Sequence, residues 1–164
     1  MKRFIFVARM QAVRGATLLE MMVSLFVMGV GMLGVLGLQT QAMRFNHQAY
    51  SYSQAVFLAQ EILERMRANP IDANNYTFNF DESVSASKNC GSPNASCTPA
   101  QLREWDIANW QESIANRLPA GKGQIDFDGD NFQILLEFDL IKTENDNLIA
   151  KNTERQRYVL NAGL

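Results

Sequence analysis

The feature that most constrains this chain is a 23-residue, mostly apolar run at residues 16–38. About 20 consecutive apolar residues are enough for one helix to cross a bilayer. The run contains a single charged residue, Glu20, at its fifth position. Acidic side chains in membrane segments usually have a partner. The run therefore predicts a membrane-spanning helix whose carboxylate must be neutralised by another group.

Charge is distributed unevenly on the two sides of this run. Residues 1–15 contain four basic residues and no acidic one, whereas residues 16–164 contain the other 11 of the 15 basic residues and all 17 acidic residues. By the positive-inside rule, the basic start predicts a cytoplasmic N-terminus and places everything after residue 38 across the membrane. The acidic remainder lacks the basic surface that binds phosphate backbones, so we expect no nucleic-acid partner.

Three kinds of N-terminal segment are considered for this run. A cleaved secretory signal is disfavoured, because the run is too long and no small-x-small cleavage site follows it. A plain single-pass anchor leaves Glu20 without a partner. Cleavage between Gly15 and Ala16 would instead create an α-amino group, about 6 Å from Glu20 along a helix axis. That amine would neutralise Glu20 between neighbouring subunits.

These residues resemble the prepilin signature of the type IV pilin family. The signature consists of a short basic leader, Gly at the cut, a hydrophobic run and Glu at the fifth mature position, as in Gly15, Ala16 and Glu20 here. The resemblance implies cleavage after Gly15 by a membrane prepilin peptidase and N-methylation of Ala16. It also implies a filament core in which Glu20 meets the amine of an adjacent subunit. The first mature residue is usually Phe in the family and is Ala16 here.

Three further segments resemble minor pilins of the PilV type: residues 29–44, residues 55–70, which end in ERMRANP, and a Trp-containing block at residues 97–123. The resemblance implies a minor pilin that primes or promotes pilus assembly together with other minor and major pilins and the assembly machinery of the bacterial inner membrane. It places the precursor in that membrane with a periplasmic head, and the mature protein in the pilus. A minor pseudopilin of a type II secretion system shares the N-terminal pattern and remains the alternative.

The periodicity predicts one long helix over residues 16–69. Beyond residue 38, apolar residues recur at spacings of three and four, and Pro70 disfavours helix at Asn69. The predicted organisation is a leader at 1–15, a membrane or filament-core helix at 16–38, an amphipathic continuation at 39–69 and a globular head at 70–164. The apolar stripe of the continuation consists of Tyr52, Ala55, Val56, Ala59, Ile62, Leu63 and Met66.

The two cysteines, Cys90 and Cys97, both lie on the far side of the predicted membrane segment. If that compartment is oxidising, a disulfide between them is the natural interpretation. The bond would close a ring of eight residues and contribute about 2.5 kcal/mol by loop entropy. We therefore expect a local staple and not a link that defines the fold.

A second, shorter helix is predicted over residues 100–117. Thr98 is a suitable N-cap, and Pro99 fits the first turn. The two tryptophans of this helix, Trp105 and Trp110, are expected to anchor it to the core or to the long helix. Binding of a ligand by the tryptophans is the less favoured alternative.

After residue 118 the pattern becomes strand-like, with segments at 124–128, 132–142 and 148–160. Short turns between them predict an antiparallel meander, and one further short strand is predicted at residues 76–80. The expected fold is α+β and pilin-like: a long N-terminal helix packed on a small β-meander, with an extra short helix. The apolar face of the meander consists of Phe127, Phe132, Ile134, Leu136, Phe138 and Leu140.

One set of acidic residues has a spacing similar to an EF-hand calcium loop. Asp126, Asp128 and Asp130 alternate, and Glu137 lies at the twelfth position counted from Asp126. The sixth position is Asn131 instead of Gly, and Glu137 falls in a predicted strand. A hairpin turn rich in Asp and Gly is therefore the favoured interpretation, with no metal site.

The sequence offers little to catalysis. His47 is the only histidine, so neither a Ser-His-Asp set nor a Cys/His zinc site is expected. A phosphate-binding glycine loop is also absent. The sequence thus predicts an assembly protein without catalytic residues and without a cofactor.

Overall fold

The computed structural model describes residue 15, residues 17–141 and residues 153–163. Several predicted features lie outside these residues: the leader up to residue 14, Ala16, and residues 142–152, which hold the second turn of the meander and the start of its third strand. The elements are α1 (Leu18–Ala68), a short 3-10 turn (Ala73–Asn75), α2 (Pro99–Arg117), β1 (Lys122–Phe127), β2 (Phe132–Ile141) and β3 (Thr153–Ala162). The predicted α+β class, with its long first helix, short second helix and three strands, is confirmed.

The chain divides into two compact units between residues 44 and 45. In the first unit, every α1 residue from 18 to 44 is exposed. An 18-residue window of α1 has a mean hydropathy of 2.2 and contains no buried residue. Among the described residues, α1 is the one helix long and apolar enough to cross a membrane. This segment therefore suits anchoring in a bilayer.

In the second unit, α1 buries one face. Of the predicted stripe, five residues are buried, and the 3.6-residue period explains their spacing. Ser51 and Leu58 complete the buried face, whereas Val56 of the stripe is half-buried and Tyr52 is exposed. The confirmed members are Ala55, Ala59, Ile62, Leu63 and Met66.

Tyr52 lies at the border of this face and contacts the sheet with its ring and its hydroxyl. The ring meets Phe138 edge-on, with centroids 5.3 Å apart. The hydroxyl donates to Oε1 of Gln156 at 2.6 Å. Tyrosine commonly combines a buried ring edge with a polar tip in solvent, which explains why its side chain is 38% exposed.

The three strands form an antiparallel meander in the order β1-β2-β3. Phe127 pairs with Phe132 at the first turn, and Phe132 pairs in turn with Ala162 of β3. Side chains alternate between the faces of a sheet, so every second residue of β2 enters the core. Phe132, Ile134, Leu136 and Phe138 are fully or almost fully buried, and Phe127 and Leu140 pack at the margin.

The predicted strand at residues 76–80 is reduced to one isolated bridge between Phe78 and Ile125. Their backbone groups exchange two hydrogen bonds, at 2.9 and 2.7 Å. Immediately afterwards, the N–H of Asn79 donates to the carboxylate of Glu82 at 2.8 Å. This local turn directs the backbone away from β1, so the ladder does not extend.

Helix α2 begins as predicted. Thr98 and Gln101 form a capping box, in which the N–H of Gln101 donates to the Thr98 hydroxyl at 3.3 Å and the N–H of Thr98 donates to the Gln101 side chain at 3.1 Å. Pro99 occupies the first turn, where no N–H is required. The start of α2 is therefore set by local sequence alone.

Trp110 fixes α2 in the core, in agreement with the prediction that both tryptophans anchor this helix. Its side chain is 0% exposed, and its indole N–H donates to the carbonyl of Leu58 in α1 at 2.9 Å. The ring lies directly over Gly123 of β1, where a Cβ would be 2.6 Å from a ring carbon. Only glycine leaves room for this approach of the ring to the strand.

Candidate functional site

The predicted processing site lies at the start of α1. Gly15 is exposed and precedes the helix, and Ala16 lies outside the described residues. Thr17 caps the helix: its hydroxyl accepts the backbone N–H of Glu20 at 3.3 Å. The Thr-x-x-Glu pattern of residues 17–20 is the sequence signal of a capping box, and it identifies Thr17, which the sequence analysis missed.

Glu20 occupies the first turn of α1 and is exposed. Carboxylates are favourable at this end of a helix, because the helix dipole is positive there. Within the described part of the chain, the Glu20 carboxylate has no ion-pair partner. Its neutralisation by the amine of Ala16 stays a prediction.

The disulfide predicted between Cys90 and Cys97 is present, with 6.0 Å between the two Cα atoms. Its second cysteine directly precedes Thr98, the N-cap of α2. The ammonium of Lys88, which precedes the ring, donates to the carbonyl of Ser96 within it. The disulfide thus fixes the loop at the point where α2 starts.

Removing the disulfide by the paired substitutions Cys90→Ser and Cys97→Ser is expected to lower the free energy of unfolding of the head by about 2.5 kcal/mol. The reason is that the unfolded chain regains the freedom of an eight-residue ring. Urea denaturation of the full chain in detergent, followed by the fluorescence of Trp105 and Trp110, measures the change. The unsubstituted protein in dithiothreitol should show the same loss, and equal stability with and without the bond would contradict this role.

Trp105, the second tryptophan, is half-buried and holds the disulfide loop against α2. A Cβ on Gly91 would lie 2.6 Å from its ring, so the loop backbone rests directly on the indole. The guanidinium carbon of Arg65 lies 5.4 Å from the centre of the ring, within the range of a cation–π contact. Trp105 therefore joins the loop, α2 and α1.

A buried polar cluster lies beside this contact and was not anticipated from the sequence. Asp106 accepts hydrogen bonds from the Tyr76 hydroxyl at 2.7 Å and from Arg65 at 3.0 Å. The side chain of Asn69 donates to the Tyr76 hydroxyl at 3.2 Å and to the carbonyl of Pro99 at 2.9 Å. Tyr76, Asn69 and Asp106 are all less than 5% exposed. The cluster ties the end of α1 to the start of α2.

The pKa shifts of Tyr76 and Arg65 favour their roles as hydrogen-bond donors to Asp106. Burial raises the pKa of Tyr76 well above its usual range, and the hydrogen bond to the carboxylate of Asp106 adds to the effect. Burial alone would lower the pKa of Arg65, but hydrogen bonds and charge interactions with Glu61 and Asp106 outweigh it and raise that pKa. Tyr76 and Arg65 therefore keep their protons, and both donate to Asp106 at physiological pH.

The acidic residues with EF-hand-like spacing do not converge on a metal site in the described part of the chain. Asp128 accepts the backbone N–H groups of Asp130 and Asn131, at 3.0 and 2.7 Å. These bonds lower the pKa of the Asp128 carboxyl. Glu137 lies on the neighbouring strand and accepts from Nε of Arg157 at 3.0 Å. The favoured interpretation, a hairpin turn, matches this geometry.

Comparison with known families gives two matches that follow one another along the chain. Residues 10–36 match the prokaryotic N-terminal methylation motif. Residues 37–108 match the Tt1218-like family, described as type IV pilin Tt1218. Neither the comparison with curated proteins nor that with solved structures gives a match.

The two family matches meet without a gap and fall on distinct parts of the structure. The methylation motif covers Gly15, Glu20 and the exposed apolar part of α1, and the pilin match covers the remainder of α1 and the first half of α2. The long helix, the short helix and the antiparallel sheet agree with a pilin fold. By its methylation motif, its pilin segment and its fold, the chain is similar to type IV pilins over residues 10–108.

Proposed function

We propose that this protein is a minor type IV pilin of the PilV type, which primes or promotes pilus assembly together with other minor and major pilins. Its work is structural, as in the pilin family generally. The observation that carries the proposal is the methylation motif at residues 10–36, followed at once by a pilin segment. The exposed apolar part of α1 supplies the surface that a bilayer or a filament core would cover.

The assignment to the PilV type rests on two segments that contact one another in the head. ERMRANP, residues 64–70, contributes Arg65 and Asn69. The Trp-containing block at 97–123 contributes Asp106, which accepts from Arg65, and the Pro99 carbonyl, which accepts from Asn69. The two segments of resemblance thus form one structural unit, and this supports reading them as one feature.

The proposed life of the chain has two stages. The precursor lies in the bacterial inner membrane, with residues 1–15 as a cytoplasmic leader, 16–38 as the spanning helix, 39–69 as its continuation and 70–164 as a periplasmic head. Prepilin peptidase then cleaves after Gly15, and Ala16 becomes the methylated N-terminus. The mature subunit enters the pilus through the assembly machinery of the inner membrane.

Intact-mass and N-terminal analysis of the full chain, from membranes with and without prepilin peptidase, tests this proposal. We expect an N-terminus at Ala16 that depends on the peptidase, with about 14 Da more where the amine carries one methyl group. An intact Met1 terminus in both strains would contradict it and would return the chain to a plain membrane anchor.

A deletion strain separates the pilus from the secretion pseudopilus. Loss of surface pili and of twitching motility, with exoprotein secretion unchanged, is the expected result. Loss of exoprotein secretion with intact pili would overturn the assignment to a pilus. It would leave the processing of the precursor untouched, because the pseudopilins share the N-terminal pattern.

A further inference from the structure

Helix α1 begins close to the bond that the prepilin signature marks for cleavage, between Gly15 and Ala16. Gly15 and Thr17 are both exposed and lie outside the helix, and Leu18 is its first residue. The bond to be cleaved therefore lies just ahead of the first turn. This position matters because a peptide bond inside a helix must be released from the helix before a peptidase cleaves it.

Thr17 accepts two N–H groups of the first turn of α1. Its hydroxyl accepts the N–H of Glu20 at 3.3 Å, and its backbone carbonyl accepts the N–H of Met21 at 3.2 Å. The first N–H groups of a helix have no carbonyl partner inside it, and an N-cap side chain satisfies one of them. The hydroxyl of Thr17 thus fixes the residue at which the helix starts.

The N–H that the Thr17 hydroxyl occupies is the one that a longer helix would need. In an α-helix each N–H donates to the carbonyl four residues earlier. A helix continued towards the N-terminus would therefore pair the N–H of Glu20 with the carbonyl of Ala16. It would also pair the N–H of Leu19 with the carbonyl of Gly15, which belongs to the bond to be cleaved. The Thr17 hydroxyl opposes this continuation.

The sequence before Thr17 contains no other strong stop signal for a helix. Residues 1–17 contain no proline, and the residue next to Thr17 is Ala16, of the type with the highest helix propensity. Gly15 is a poor helix former, at a cost of about 1 kcal/mol relative to alanine, but it does not block a helix as proline does. The cap at Thr17 is therefore the feature that sets the boundary.

We propose that Thr17 is a positioning residue for the processing of the precursor: its hydroxyl fixes the start of α1 and keeps the Gly15–Ala16 bond outside the helix, accessible to prepilin peptidase. Hydrolysis adds one water across this bond and leaves a carboxyl group on Gly15 and an amine on Ala16. Thr17 acts through the helix boundary and does not contact the reacting atoms. The inference rests on the proposed processing of the chain.

The test compares initial cleavage rates of full-chain precursors, purified in detergent from a strain without the peptidase and mixed with solubilised membranes that contain it. Intact-mass analysis follows the product that begins at Ala16. Thr17→Ala removes the cap and introduces the best helix former, so we expect cleavage about fivefold slower. Thr17→Ser keeps the hydroxyl and should be cleaved at the rate of the unsubstituted chain.

Thr17→Gly separates the helix boundary from recognition of the hydroxyl by the peptidase. Glycine has no hydroxyl, but it is nearly as good an N-cap as threonine and a poor residue inside a helix. The boundary should therefore stay, and the rate should remain within about twofold of the unsubstituted chain. A rate as low as that of Thr17→Ala would mean that the peptidase contacts the hydroxyl itself, and it would overturn the proposal.

Ser24→Ala is the matched control within α1. It removes a hydroxyl that donates to the carbonyl of Met21 at 2.9 Å inside the helix, away from the boundary, and it should leave the cleavage rate unchanged.

Failure of this inference and failure of the proposed processing give different results. If the unsubstituted precursor is not cleaved at all, both are wrong. If the unsubstituted precursor and Thr17→Ala are cleaved at the same rate, processing stands and only the role of Thr17 is overturned.

Discussion

Replacing Glu20 with Ala is expected to give a precursor that is made and inserted normally but enters pili about a hundredfold less often. In the proposed filament, Glu20 meets the amine of Ala16 in an adjacent subunit. Removing one member of a buried ion pair leaves the other charge uncompensated, at a cost of about 3 kcal/mol, which corresponds to about a hundredfold in an equilibrium. Immunoblots of sheared pili against the membrane fraction measure the ratio.

A second effect of this substitution needs a control, because Glu20 also lies in the Thr-x-x-Glu pattern that starts α1. Glu20→Gln retains a side chain suited to the capping box and removes only the charge. Glu64→Ala removes an exposed carboxylate of the same helix, paired with Arg67 at 2.7 Å. We expect the Gln variant to fail like the Ala variant and Glu64→Ala to assemble. Normal assembly of Glu20→Gln would show that Glu20 acts only in starting helix α1 and not as the partner of the Ala16 amine.

Replacing Asp106 with Ala is expected to lower the free energy of unfolding of the head by about 3 kcal/mol. The substitution leaves the Tyr76 hydroxyl without its acceptor and removes a buried partner from Arg65, and unpaired buried polar groups carry their full desolvation cost. Arg65 keeps its 2.7 Å contact with Glu61, which limits the loss. Urea denaturation of the full chain in detergent, followed by the fluorescence of Trp105 and Trp110, gives the value.

Two further variants test whether the stability depends on the charge of Asp106 and on its buried position. Asp106→Asn keeps an acceptor for Tyr76 but loses the charge. Its free energy of unfolding should therefore lie between those of the unsubstituted protein and Asp106→Ala. Asp130→Ala removes an exposed carboxylate in the β1–β2 turn and should cost less than about 0.5 kcal/mol. If Asp106→Ala were no more destabilising than Asp130→Ala, the cluster would have no part in holding α1 to α2.

The sequence predicted best the elements whose signals are local. The start of α2 depends on Thr98, Pro99 and Gln101, which are neighbours in the chain. The end of α1 at Ala68 follows from Pro70. The hairpin between β1 and β2 follows from its Asp and Gly residues, with Gly129 at a positive φ of 101°. Each of these signals acts within a few residues.

Features that depend on distant residues were missed or misplaced. Asp106 lies 41 residues from Arg65 and 30 residues from Tyr76 along the chain, and no local pattern joins them. The same reason explains the buried face of α1: periodicity gives the spacing of the stripe, but the position of Trp110 and the sheet decides that Leu58 is buried and Tyr52 is not.

The candidate assembly site stays a prediction, and it came from a different kind of signal. A lone carboxylate in an apolar run has no partner among the residues of that run. It therefore suggests a partner that forms only after cleavage, namely the new α-amino group. Thr17 shows the limit of that argument, because a search for the partner of one charge does not find the backbone contact that starts the helix.

The ties between α1 and α2 have a mechanical consequence. Arg65–Asp106, Asn69–Pro99 and Trp110–Leu58 join the two helices at three levels along α1. A pull parallel to the axis of α1 would load these three contacts at the same time. A pull that lifted α1 away from one end would break them one after another. Shear-loaded bonds that must fail together resist far more force. The head is thus held to α1 more firmly against a lengthwise pull on the helix than against peeling.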